Sequence, residues 1–312
     1  MAEVIPPRTD LLFKHIFGDE ENKEFLIALL RAVLDLPADA FARVELLKTQ
    51  LEVESGGQKG PVLDVRAQLG TGEHVDVEIQ LRVTRRLPPR IAYYTARMLA
   101  EQLHSGERYD QLGRAVTVLI VGENLSNDEG YHHRFLMSEP ATGKVFSDAL
   151  EIDTLELRKV PQAGDGTQLW KWMRFIAAQS AEELDMAAQL DPVIAKAADA
   201  VRRWSEDDIF RLQLAAQEKV ERDYLSRMHD DLEDAREEGL RLGLEQGLEQ
   251  GLKQGLQQGI QRGKNDGQSA ERTRVIRHML SRGLSAEDIC GLVDVSISEV
   301  SQIQRSPETA PE

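Results

Sequence analysis

A chain of 312 residues, 41% hydrophobic and 29% charged, is long enough for one sizeable domain plus an appendage, or for two domains. Its formal net charge of −16 argues against a passive nucleic-acid coat, which needs a basic surface. The single cysteine, Cys290, excludes an internal disulfide framework and a Cys-based zinc site. With no basic-then-apolar leader and no apolar run near the ~20 residues of a membrane span, a cytoplasmic protein without membrane association is expected.

Thr9 and Asp10 ahead of Leu11–Phe17 and Gly18 predict a short capped helix closed by glycine. Asn22 to Leu34 predicts an amphipathic helix with Phe25, Leu26, Leu29, Leu30 and Val33 on one stripe. Val44 to Val53 reads as a strand, followed by a loop at Ser55–Gly60. Two runs of apolar/polar alternation then flank Gly70-Thr71-Gly72, the pattern of two half-buried strands joined by a tight turn. Folded symmetrically about Thr71, this hairpin pairs Leu63 with Ile79, Val65 with Val77 and Ala67 with Val75 on one face. The other face pairs Val62 with Gln80, Asp64 with Glu78, Arg66 with Asp76 and Gln68 with His74. A one-residue slip would exchange the two faces, so this register is strongly preferred.

Pro88-Pro89 opens a helix over about Arg90–Leu103, placing Arg90, Tyr93, Tyr94 and Arg97 on a single face. Seven arginines against three acids between Arg82 and Arg114 give either a phosphate-holding surface or a solvated helix face. Ala115–Val121 is a continuous apolar run of strand length, read as a central strand. Further strands are expected at His132–Met137 and Leu150–Leu157, and a helical region from Trp170 to about Asp234. His132 and His133 are adjacent, so in a strand they cannot share a metal. No Gly-rich phosphate loop occurs, and no nucleotide cofactor is expected.

From Gly239 to Gly267 a glycine recurs every fourth residue, and the first six are each followed by Leu or Ile. On a helix this stripe advances about 40° per repeat, and a repeat above 3.6 favours right-handed winding about a partner. Each interior glycine costs about 0.8–1 kcal/mol relative to alanine. The segment is therefore either a flexible, partly helical linker or a helical one through which copies of the chain associate. The domain division expected is 1–235, a linker at 236–268, a helix-turn-helix-like three-helix module at 269–306, and a disordered end at 307–312. In the module, Ser285 caps one helix and Ser296 or Ser298 the next. Arg272, Arg274, Arg277 and Arg282 are its candidates for phosphate contacts.

Two carboxylates facing each other, Asp64 and Glu78, repel by roughly 0.2–1 kcal/mol. Either they relax into solvent or they share a divalent cation, because hard cations take one or two carboxylates and keep several waters. Gln80 lies two residues on, beside the same point of the sheet. The order Asp, a dozen residues, then Glu-x-Gln is similar to the PD-(D/E)XK nuclease signature, with Gln where Lys is usual.

The chain as a whole resembles the Rpn family, the recombination-promoting nucleases and transposase-like proteins of the PD-(D/E)XK type. The likeness runs through Thr9-Asp10, Phe13-Lys14, Phe17-Gly18, Asp64, Glu78-Ile79-Gln80, Arg90, Tyr93-Tyr94 and Tyr109. It continues through Ile152–Leu157, Lys159 and the glycine-repeat tail. The resemblance implies a restriction-endonuclease-like α/β fold, a mixed sheet flanked by helices with a C-terminal helical tail. It also implies a metal-dependent DNA endonuclease that hydrolyses phosphodiester bonds in recombination or transposition. On that likeness Asp64, Glu78 and the backbone carbonyl of Ile79 would hold Mg²⁺ or another divalent cation, and Gln80 would position the attacking water. Gln80 lacks the charge of a lysine, so Lys14 or an arginine would compensate. Asp10 is a possible further acid, and Arg90 and Tyr94 are candidates for supporting or phosphate contacts. DNA and a second copy of the chain, through residues 239–267, are the partners implied. The alternative is a catalytically degenerate nuclease fold that binds DNA or oligomerises, favoured by Gln80 and by the acidic charge.

Overall fold

The structure, a computed structural model, describes residues 4–51, 62–103 and 106–306. The chain divides into two compact units, Met1–Lys219 and Val220–Glu312.

The first unit is built on a six-stranded mixed sheet: β1 (Val44–Leu46), β2 (Val65–Leu69), β3 (His74–Gln80), β4 (Ala115–Val121), β5 (His132–Ser138) and β6 (Val145–Glu156). Their order across the sheet is β1-β2-β3-β4-β6-β5. β3, β4 and β6 are mutually parallel, while β1, β2 and β5 pair antiparallel with their neighbours. β4 sits centrally with every residue buried, as its unbroken apolar run requires of a strand covered on both faces.

Two helical layers provide that cover. One face carries α1 (Asp10–Phe17), α2 (Lys23–Val33), α4 (Gln168–Ala177), α5 (Ala181–Ala188) and α6 (Pro192–Glu206). Their apolar residues join Val75, Val77, Ile79, Val116, Val118 and Ile120 in the main core. The other face is covered by α3 (Leu87–Ala100), whose Leu87 and Ile91 pack on Leu119 and Val121, and Met98 on Ala115. Thr9 stands at the N-cap position of α1 without a side-chain capping bond, Gly18 closes the helix, and α2 buries the five residues its stripe predicts. The α/β mixed sheet flanked by helices is therefore the architecture found.

The hairpin register holds where the ladder runs: Val65 pairs with Val77, Arg66 with Asp76, Ala67 with Val75 and Gln68 with His74. It does not extend to Val62–Gln80 or Leu63–Ile79. Leu63 donates its N–H to the Thr49 carbonyl (2.9 Å) and Val62 bridges Gln50, so the chain leaves β3 before Val65. Leu63 then packs with Met98 and Ala115 under α3, not on the core face of Ile79. The strand expected over Val44–Val53 shortens to β1, and its last two residues, with the loop at 55–60, lie outside the described residues. The helix expected from Arg90 begins at Leu87, with both prolines in its first turn, and β6 starts five residues before the predicted strand.

In the second unit the backbone is helical across the whole glycine repeat. α7 (Asp208–Ser281) begins in the first unit and passes through positions 235 and 268 without a break. The last turns of α7, with α8 (Ala286–Leu292) and α9 (Ile297–Arg305), enclose a small core of Ile276, Ile289 and Val300. Gly283, at φ 86°, makes the turn out of α7. Ser285 and Asp288 form a capping box on α8, and Ser296 caps α9. Of the four arginines expected to meet phosphate, Arg272 lies 3.9 Å from Glu299 and Arg274 2.8 Å from Glu271. Those carboxylates compete with any phosphate. Residues 307–312 lie outside the described residues.

The carboxyl ends of β3 and β4 meet at Gly122, which donates its N–H to the Gln80 carbonyl at 3.0 Å. A Cβ at Gly122 would stand 2.7 Å from the Leu81 carbonyl oxygen and 2.9 Å from its Cα. Gly122→Ala is expected to lower the unfolding free energy by about 1–3 kcal/mol, read as a lower urea midpoint at unchanged slope. An unchanged midpoint would mean that this end of the sheet tolerates separation.

Candidate functional site

Strand alternation puts Asp76, Glu78 and Gln80 on one face of β3, the face covered by α3. That face is not open to water. Glu78 is 2% exposed, Asp76 fully buried and the Asp64 side chain 9% exposed. The alternative of carboxylates relaxed into solvent is therefore excluded.

Asp64 and Glu78 are held together by a reciprocal pair of bonds at the point where β2 and β3 part. The Asp64 N–H donates to Glu78 Oε1 (3.2 Å), and the Ile79 N–H donates to Asp64 Oδ2 (3.0 Å). Each acid thus satisfies a backbone donor that the ladder no longer reaches. The Gln80 amide Nε2 donates to Glu78 Oε2 at 3.3 Å. Lys14, from α1, places its ammonium 2.8 Å from Asp64 Oδ1 and 2.9 Å from Asp10 Oδ1. Asp10 also accepts from Gln217 at 3.3 Å.

Electrostatics follow from this crowding. Burial, then the Asp64 charge, pushes the Glu78 carboxyl up to about 7, against the Asp64 N–H, Arg90 and Gln80, which favour its ionised form. Asp76 is held well above the usual carboxylate range by burial and by the charges of Glu78 and Asp64, with Arg66 opposing. Burial would lower Lys14, but its bonds to Asp64 and Asp10 outweigh that and keep it cationic.

Of the eight residues singled out, seven come together: Asp10, Lys14, Asp64, Glu78, Ile79 and Gln80 by direct bonds, and Arg90 through its field on Glu78. Tyr94 is reached only through Arg90, whose guanidinium carbon lies 5.9 Å from its ring centroid. Asp76 was missed. The period-two alternation places it on the Glu78 side, but alternation reports polarity and not depth. Both its carboxyl oxygens are buried and lack a hydrogen-bond partner. The arginine-rich segment is only partly free for phosphate, because Arg108 pairs with Asp110 and Arg114 with Glu151. Lys159 bonds Glu156 (2.9 Å) and Ser126 (2.7 Å), which gives it a structural place away from these carboxylates.

The donor set suits a hard divalent cation: two crowded carboxylates and the carbonyl of Ile79. Among the described residues no cluster of three or more His, Cys, Asp or Glu side chains is arranged to hold a metal ion. A cation on this pair would therefore keep several waters. Among the same residues no helix is long and apolar enough to cross a membrane.

The sequence model of one protein family, described as PD-(D/E)XK nuclease family transposase, matches residues 7–231. This match takes in most of the chain and all eight candidate residues, and the chain belongs to that family. No curated protein and no solved structure matches it.

Glu78 links the site to folding stability. Its folded value, about 7, lies above the ordinary 4.5. The folded protein therefore binds this proton more tightly, and stability falls as pH rises from 4.5 through 7. In EDTA, Glu78→Gln should flatten that slope and exceed wild type by about 1–3 kcal/mol above pH 7, measured by urea unfolding across the pH range. Parallel slopes in the two proteins would assign the loss to another group.

Proposed function

We propose that this member of the PD-(D/E)XK nuclease family is a metal-dependent DNA endonuclease acting in recombination or transposition. The observation that carries the reading is the desolvated Asp64–Glu78 pair, clasped through backbone donors with a lysine on its outer oxygen.

On this reading Asp64, Glu78 and the Ile79 carbonyl would hold Mg²⁺ or another divalent cation, which would supply Lewis-acid activation of water and neutralisation of phosphate charge. The residues themselves divide the remaining work. Gln80 commits its amide N–H to Glu78, leaving its carbonyl oxygen to accept a hydrogen from the water and orient it. Lys14, bonded to Asp64, supplies the positive charge that Gln80 cannot, aimed at charge that grows on the phosphate. Arg90, exposed and within the field of Glu78, is placed to contact a neighbouring phosphate.

The test is nicking of supercoiled plasmid with Mg²⁺ or in EDTA. Wild type should nick only with the cation, Asp64→Ala should not nick, and Lys14→Met should lose about 10²–10³-fold. Equal residual nicking by wild type and Asp64→Ala would favour the catalytically degenerate alternative.

We also propose that residues 239–267 join copies of the chain. Leu240, Leu244, Leu248, Leu252, Leu256 and Ile260 are between 52% and 77% exposed along a helix whose glycines leave open space for a close neighbour. Sedimentation velocity should show an oligomer that Leu248→Glu with Leu252→Glu dissociates. A monomeric wild type would overturn this.

A further inference from the structure

The carboxyl edge of the sheet holds a second feature, away from the carboxylates. A cavity of about 390 Å³ opens there, lined by Leu81 and Gly122 at the ends of β3 and β4. Crevices outside the carboxyl ends of parallel strands are where α/β sheets bind ligands. Three arginines from distant parts of the chain line it: Arg8 before α1, Arg158 after β6 and Arg174 in α4.

Their charge is uncompensated. None of the three has a carboxylate partner among the described residues, in a protein with 54 acidic and 38 basic residues. Some arginines of the same unit are paired, as Arg66 is with Glu101 (3.2 Å) and Arg134 with Glu151 (2.8 Å); what sets these three apart is that they line one cavity together. The one acid in the lining, Glu183, accepts the Gln179 N–H at 2.7 Å and so is committed to the start of α5. Three guanidinium forks around one small space match an anion with several acceptor oxygens. A backbone phosphodiester carries one charge, whereas a phosphate monoester carries about −1.5 to −2 and three acceptor oxygens. The volume suits a single small ligand, and a duplex is far too wide for it.

We propose that this cavity binds the phosphate monoester of one nucleotide, at the terminus of a DNA strand. The strand as its source rests on the nuclease reading; the anion chemistry does not. Leu81 directly follows Gln80, so the occupant would sit at the same edge of the sheet as the carboxylate pair, held by cations that the pair does not use.

The experiment is fluorescence anisotropy of the full-length chain in EDTA, with short single-stranded DNA bearing a 5′-phosphate, a 3′-phosphate or hydroxyls only, and with free nucleoside monophosphate as competitor. A phosphorylated end should bind about tenfold tighter than the hydroxyl-ended strand. Arg158→Gln and Arg174→Gln should each erase most of that preference without lowering the melting temperature. Asp64→Ala should retain it. Competition by the free monophosphate with no preference among strand ends would keep the monoester site and assign it a soluble nucleotide. Equal affinity for all strands without such competition, or a preference that survives both arginine substitutions, would overturn the proposal. A chain that nicks no plasmid yet keeps the preference would lose the nuclease reading alone.

Discussion

The burial of Asp64 against Glu78 is the constraint on which the first unit's organisation depends. Two carboxylates cannot be desolvated side by side unless something offsets the repulsion. Here the offset is structural first. β2 abandons β3 before Val65, leaving the N–H groups of Asp64 and Ile79 without ladder partners, and each acid takes one of them. The break in the hairpin and the convergence of the acids are one event. Truncating Asp64 to alanine therefore removes a hydrogen-bond acceptor from Ile79 as well as a charge, whereas an asparagine would keep an acceptor and lose the charge.

The compensation beyond those bonds is incomplete, and that incompleteness is what makes the pair chemically open. Lys14 answers Asp64, and Arg90 acts on Glu78 from a distance, but Glu78 remains poised near neutrality and Asp76 keeps two unpartnered oxygens beneath α3. Such a site must take up either protons or a cation. Because these acids must release protons before binding a metal, affinity for a cation would rise with pH over the range in which Glu78 titrates.

Much of this was legible in the residues. The register of Val65–Leu69 against His74–Val77 follows from period-two alternation around a glycine-flanked turn, and the limits of β4 from its unbroken apolar run. Depth was not legible. Arg66 facing Asp76, and Thr95 bonded to Thr117 at 2.7 Å, make a polar sheet face that can lie under a helix, and polarity alone reads as exposure. The register fails at Leu63 and Val62 because the Asp64 side chain competes for the Ile79 N–H, a side-chain-to-backbone bond that a pattern of apolar residues does not encode. Arg8, Arg158 and Arg174 are brought together only by the packing of α4 and the chain after β6 at one edge, so no local spacing marks them as a set.

The strongest case for a degenerate site rests on Gln80, which stands where the PD-(D/E)XK signature has lysine. The geometry weakens that case. A lysine at this position would project from β3 beside Glu78, where Gln80 now donates a neutral hydrogen bond, while the ammonium actually present arrives from α1 and bonds Asp64. A positive charge therefore stands beside the pair, supplied by α1 and not by β3. Two lysines there would each compete for a carboxylate that a divalent cation needs, so the presence of Lys14 gives a physical reason for a neutral residue at position 80. If the chain is the metal-dependent nuclease proposed above, its activity would depend on the ammonium of α1 more than on the amide of β3.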